Sequence, residues 1–157
     1  MFGDNRNRSS DSRDWGPITI SSGIWKPIEL IDFEQVAITS FSVISEVTDK
    51  NHSLKANVDL AGEFSGAVLR LALKDGEKII ASKDFAPGTE LELNDLNVEL
   101  WQPRGRGDQK LYQAIVELIF DGNVIQNSEK QVGFRSIELD TTEIKDGKHL
   151  FAIKVNG

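Results

Sequence analysis

The sequence predicts an all-β fold, an immunoglobulin-like β-sandwich of about seven strands. Three observations predict it. Short segments of alternating apolar and polar residues recur along the 157 residues, separated by Gly, Asp and Asn. No stretch keeps a helical period. The clearest segment puts Tyr112, Ala114, Val116, Leu118 and Phe120 on one face and Gln113 and Glu117 on the other. Asp121-Gly122-Asn123 follows it, and these residues tolerate the positive φ of a tight hairpin.

In chain order, residues 1–14 are polar, and 4–13 contain no apolar residue, the composition of a disordered segment when read alone. Two short apolar segments, 18–20 and 24–33, flank Ser21-Ser22-Gly23, and Pro27 makes the second an edge or bulged strand. Val36–Val47 is the first full strand, with Phe41, Val43 and Val47 on one side. Residues 48–51 turn the chain. Leu54, Ala56, Val58 and Leu60 then alternate with Lys55, Asn57 and Asp59, as a half-buried strand requires. A strand over 67–73 leads through Lys74-Asp75-Gly76-Glu77 into 78–82. Pro87-Gly88 breaks the chain before 89–93, where Leu91 and Leu93 alternate with Glu90 and Glu92. A strand over 98–101 precedes the hairpin of 112–120 and 124–132. Tyr112, at the start of the penultimate strand, is placed to tie down a corner through its hydroxyl. Polar 141–148 precedes a last apolar strand over 149–155.

Composition narrows the function. The length gives room for one ordinary domain plus extensions, and 39% apolar with 27% charged residues is the balance of a soluble globular protein. A net charge of −7 argues against nucleic acid as a partner, because phosphates are bound by Lys and Arg. With no cysteine, neither a disulfide nor a thiolate metal site is possible, and the redox compartment stays open. No apolar run nears the ~20 residues that span a bilayer, so no membrane role is expected. The first residues lack the apolar core of a signal peptide, and localisation is left unknown.

Chemistry-bearing groups are sparse. His52 and His149 stand far apart, so no metal is expected, and no Gly-rich phosphate loop opens a helix, so no cofactor is expected. Glu90, Glu92 and Glu117 fall at outward positions of alternating strands, the pattern of solvated faces. Arg106-Gly107-Asp108 spells an adhesion-type tripeptide, and Arg104-Gly105-Arg106-Gly107 is a single Gly-Arg repeat. Both read as loop chemistry, with glycines for unusual φ and arginines for solubility or a neighbouring domain.

Trp101-x-Pro103, Gly105-x-Gly107, Leu111-Tyr112 and Gly133-Phe134-Arg135, in that order, resemble the middle immunoglobulin-like domain of glycoside hydrolase family 2. Within the family the series is most similar to β-mannosidases and their exo-glucosaminidase relatives. Asp14-Trp15-Gly16-Pro17 and Gly23-Ile24-Trp25-Lys26-Pro27 before it, and Phe151 with Val155-Asn156-Gly157 after it, extend the likeness. The resemblance implies three parts: 1–33, a remnant of the preceding jelly-roll sugar-binding domain and its linker; 34–139, the sandwich; and 140–157, a linker and first strand leading to an absent catalytic barrel. It implies a parent that hydrolyses O-glycosidic bonds in carbohydrate metabolism with two barrel glutamates, the acid lying in an Asn-Glu pair. This sequence has no Asn-Glu pair, so no catalytic residue is assigned in it.

For the intact parent, the resemblance assigns sugar binding to Asp14 and Trp15, although Arg13 stands where the family usually has a first Trp. A carboxylate accepts hydroxyl hydrogen bonds while an indole packs on C–H surface. Trp101, Arg104, Arg106 and Arg135 are expected at an interface with neighbouring domains, where a planar guanidinium ties carbonyls or carboxylates together. The expected partners are those domains, with self-association through 18–33 as a further expectation. A free-standing carbohydrate-binding module and an adhesion-type immunoglobulin-like module are the alternatives, and the first would need a row of exposed aromatics.

Overall fold

The computed structural model describes residues 33, 35–48, 51–145, 148–149 and 151–157. These are all-β, with no helix among them. Seven strands form a sandwich: β1 (Val36–Val47), β2 (His52–Gly62), β3 (Val68–Asp75), β4 (Lys78–Phe85), β5 (Leu91–Leu93), β6 (Tyr112–Phe120) and β7 (Asn123–Val132). One antiparallel sheet has the order β1-β2-β5 and the other β4-β3-β6-β7. Beyond them, β8 (Ile137–Asp140) pairs with β11 (Ala152–Val155), and β9 (Glu143–Lys145) pairs with β10 (Lys148–His149).

The alternation read from the sequence is what builds the core. Tyr112, Ala114, Val116 and Leu118 are buried while Gln113, Ile115, Glu117 and Ile119 between them are not. They meet Leu69, Leu71 and Leu73 of their own sheet and Phe41, Leu54, Ala56, Leu91 and Leu93 of the facing one in a single apolar cluster. Burial of these side chains is the main stabilising term, ~1.5–3 kcal/mol for each large one. The β6–β7 connection is the tight hairpin expected: Phe120 pairs with Asn123, and Asp121 and Gly122 both take positive φ (49° and 79°). Gly76, at φ 56°, makes the corresponding turn between β3 and β4.

Two expectations are corrected. Residues 98–101 do not form a strand; they carry one isolated parallel bridge, Leu100 to Phe134. Their backbone is instead held by single bonds, Glu99 N–H to the Tyr112 hydroxyl (2.8 Å) and Trp101 N–H to the Phe134 carbonyl (2.8 Å), which leave no run of pairs. The apolar segment 149–155 divides between β10 and β11, each with a different partner strand.

The sandwich edge is closed by a side chain. β1 is an outer strand whose register slips between Ile38 and Ser40. Gln126 reaches from β7 of the other sheet and serves Ile38 twice. Its Oε1 accepts the Ile38 N–H (2.7 Å) and its Nε2 donates to the Ile38 carbonyl (3.2 Å). Ile38 is buried, so an unpaired backbone group there would be costly. Further along, the Ser45 hydroxyl donates to the Gly133 carbonyl (2.9 Å).

Candidate functional site

Of the sequence-expected interface residues, Trp101 and Arg135 meet where β7 runs out toward β8. Tyr112 begins the site. Its hydroxyl holds Glu99, and its ring meets that of fully buried Phe134 edge-on, 5.7 Å between centroids at 81°. Gly133 lets Trp101 lie against the strand. A Cβ there would stand 3.2 Å from Trp101 Cβ and Cδ1 and from Leu111 Cδ2. The half-buried indole then takes the Arg135 guanidinium on its face, 4.9 Å from the ring centroid.

Asn156, just past β11, completes the node. It adopts φ 61°, a left-handed conformation open to Asn and Gly. Its Nδ2 donates to the Trp101 carbonyl (2.9 Å), its Oδ1 accepts the Ser136 N–H (3.0 Å), and its own N–H donates to the Ser136 carbonyl (3.1 Å). Sequence reading gave Asn156 no role, because its partner Trp101 stands far away in the chain and no local pattern reports the bond.

Trp101 and Arg135 are thus brought together. Arg104 and Arg106 are not part of the stack; both are exposed in the loop after Trp101. That loop is closed by Gln102 N–H to the Asp108 carbonyl and Arg106 N–H to the Pro103 carbonyl, each 2.9 Å. Gly107 and Asp108 are exposed with them. Asp14, Trp15 and, of the segment 18–33 expected to self-associate, all but Phe33 lie outside the described residues.

Paired carboxylates occur on the outer faces of both sheets, each pair around a cation. Lys55 stands 3.1 Å from Glu46 and 3.9 Å from Glu92; Arg70 stands 2.7 Å from Asp84 and 3.5 Å from Glu117. The hydrogen bond and charge of Arg70 hold Asp84 below its ordinary carboxylate value. A general acid needs the opposite shift to that of Asp84. On the β8–β11 ribbon, Lys154 and the hydroxyl and N–H of Thr142 hydrogen-bond Asp140 and hold its carboxyl far below the usual range.

An open groove of about 510 Å³ borders the node, and Ser136 and Asn156 line it with His52 and Glu138. Glu138 supplies a side-chain carboxylate to this lining. Among the described residues no three His, Cys, Asp or Glu cluster as metal ligands.

Residues 36–135, the sandwich with its Trp101–Arg135 node, match the family model for glycosyl hydrolases family 2. The chain belongs to this family. Among family relatives, it is 30% identical to mouse (Mus musculus) β-mannosidase over 94% of the chain, and 26% identical to β-mannosidase B of Aspergillus clavatus over 92%. It spans 18% of the length of both relatives. The β-glucuronidase of Ruminococcus gnavus, solved with D-glucaro 1,5-lactone, superposes over 77% of this chain and 18% of its own with a TM-score of 0.57. At 21% identity that likeness is one of fold.

Proposed function

We propose that this chain is a non-catalytic, immunoglobulin-like domain of a β-mannosidase-like family 2 glycosidase. Its work there is to space and brace a sugar-binding domain against a catalytic barrel. The parent is a retaining hydrolase of O-glycosidic bonds, and its acid and nucleophile lie outside these 157 residues.

One observation carries the reading. The β8–β11 ribbon presents an apolar face to solvent: Ile137 and Leu139 lie opposite Val155 and Ile153, and opposed residues share a face. Ile137, Leu139 and Ile153 are 59%, 56% and 67% exposed, and Phe151 beside them 78%. Apolar side chains grouped in this way mark a surface that packs on something else. The node at Trp101, Arg135 and Asn156 lies at the root of the ribbon, so force on that face passes into the sandwich.

Such a role is geometric. Sugar and carboxylates must be held in near-attack alignment, and a shift of about 1 Å can lower a rate roughly a hundredfold. The test is charge on the ribbon face. In the whole enzyme, Leu139→Lys with Ile153→Glu, an opposed pair of opposite charge, lowers kcat/KM for a nitrophenyl β-mannoside by roughly tenfold or more if barrel alignment depends on this face. The same pair in the isolated chain leaves its melting temperature nearly unchanged, since both side chains are already in water. Full activity of the doubly charged enzyme would refute the bracing role.

A further inference from the structure

We propose that Asn156 is a positioning residue whose side-chain amide latches the β8–β11 ribbon to the sandwich in one direction.

The ribbon needs such a device. Among the described residues β8 pairs only with β11, and a two-stranded ribbon is marginal in water without packing or further strands. Ile137, Leu139 and Ile153 on its apolar face are each more than half exposed, so among the described residues little packing anchors that side. The Asn156 amide supplies it from the root. One end takes the Ser136 N–H, where the ribbon begins; the other donates to the Trp101 carbonyl, which belongs to the sandwich.

The landing point is rigid. Trp101 is held through its own N–H by Phe134, its indole is confined beside Gly133, and Glu99 two residues before it is tied to Tyr112. The residue type also fits a latch rather than a turn. Glycine serves a φ of 61° at no steric cost, whereas asparagine tolerates it and adds a donor and an acceptor on one short stem. Both are used here, each on a different part of the molecule.

The consequence for a neighbouring domain rests on the proposed bracing role, but the latch itself is tested on this chain alone, so the two fail separately. Backbone amide exchange and N–H residual dipolar couplings are measured on the 157-residue chain and two variants. Asn156→Gly keeps the φ and removes both side-chain bonds. The amides of Ser136, β8 and β11 then exchange roughly tenfold to thirtyfold faster, as two lost hydrogen bonds imply, while β3 and β6 are unchanged. The ribbon couplings, which fit the sandwich's alignment in the native chain, shrink through averaging. Asn156→Asp keeps the acceptor for Ser136 N–H and loses the donor to Trp101. It gives a smaller gain in exchange, roughly threefold to tenfold. Unchanged ribbon exchange and couplings in the glycine variant would overturn the latch. Equal acceleration in ribbon and sandwich would overturn it too, since Asn156 would then be a general stabiliser.

Discussion

Replacing Gln126 by alanine offers a sharp test of how the sandwich is closed. Gln126 is half-buried on an outer strand, and for a residue in that setting with no special partner the change in stability would be within ~0.5 kcal/mol. The geometry requires more. Gln126 Oε1 and Nε2 satisfy both backbone groups of Ile38, at 2.7 and 3.2 Å, and Ile38 is only 4% exposed. Each hydrogen bond contributes about 1 kcal/mol net, and a buried backbone group left without a partner costs ~1–3 kcal/mol. Some water will reach the gap left by the shortened side chain, so the expected loss is ~2–4 kcal/mol. For a sandwich of this size that lowers Tm by roughly 8–15 °C. Urea unfolding of the two chains in parallel reads the difference as a fall in midpoint at constant slope. Gln126→Glu separates hydrogen bonding from packing. It keeps the acceptor for Ile38 N–H but sets a carboxylate against the Ile38 carbonyl at neutral pH. Its deficit should shrink as the pH falls and the protonated carboxyl becomes a donor. A loss below 0.5 kcal/mol for the alanine variant would refute the clamp.

Three further outcomes follow from the same geometry. Tyr112→Phe keeps the edge-on contact with Phe134 and removes the acceptor for Glu99 N–H, so stability falls by about 1 kcal/mol in denaturant titration; no change would mean the corner is held by packing alone. Gly133→Ala puts a methyl 3.2 Å from Trp101 and Leu111, so these neighbours shift by a few tenths of an ångström, and a change in tryptophan emission reports the disturbed Trp101–Arg135 stack; unchanged emission would mean that Leu111 alone gives way. Asp140, its carboxyl held far below the ordinary value by Lys154 and Thr142, adds stability that is present above its unfolded value of about 3.9 and is lost as pH falls through the folded one. Asp140→Asn should therefore flatten the acid limb of ribbon stability followed by NMR, and an unchanged limb would place the acid sensitivity elsewhere.

The strands were legible wherever one face is buried and the other wet. β2 and β6 alternate because each lies between core and solvent, and Asp121-Gly122 marks its turn because few other pairs accept positive φ twice. Tyr112 was legible for the same reason: a tyrosine at the start of a penultimate strand has an apolar body to bury and a hydroxyl to satisfy. Residues 98–101 misled because Val98 and Leu100 alternate with Asn97 and Glu99 like a strand, while their hydrogen bonds go singly to Tyr112 and Phe134. The Gln126 clamp and the Asn156 latch were invisible. Each joins a side chain to backbone across a long stretch of sequence, and such bonds leave no period. Trp101, Arg104, Arg106 and Arg135 were named together as interface residues; Trp101 and Arg135 stack as a pair, whereas Arg104 and Arg106 stand apart on their loop.

The proposed function divides labour between this scaffold and chemistry placed elsewhere in a family 2 enzyme. The most direct measurement compares turnover of nitrophenyl glycosides by the purified 157-residue chain and by the complete product of its gene. The expected result is no turnover by the chain, and hydrolysis with retention of configuration by the complete product. Turnover by the chain alone, or a complete product inert toward every glycoside, would contradict it.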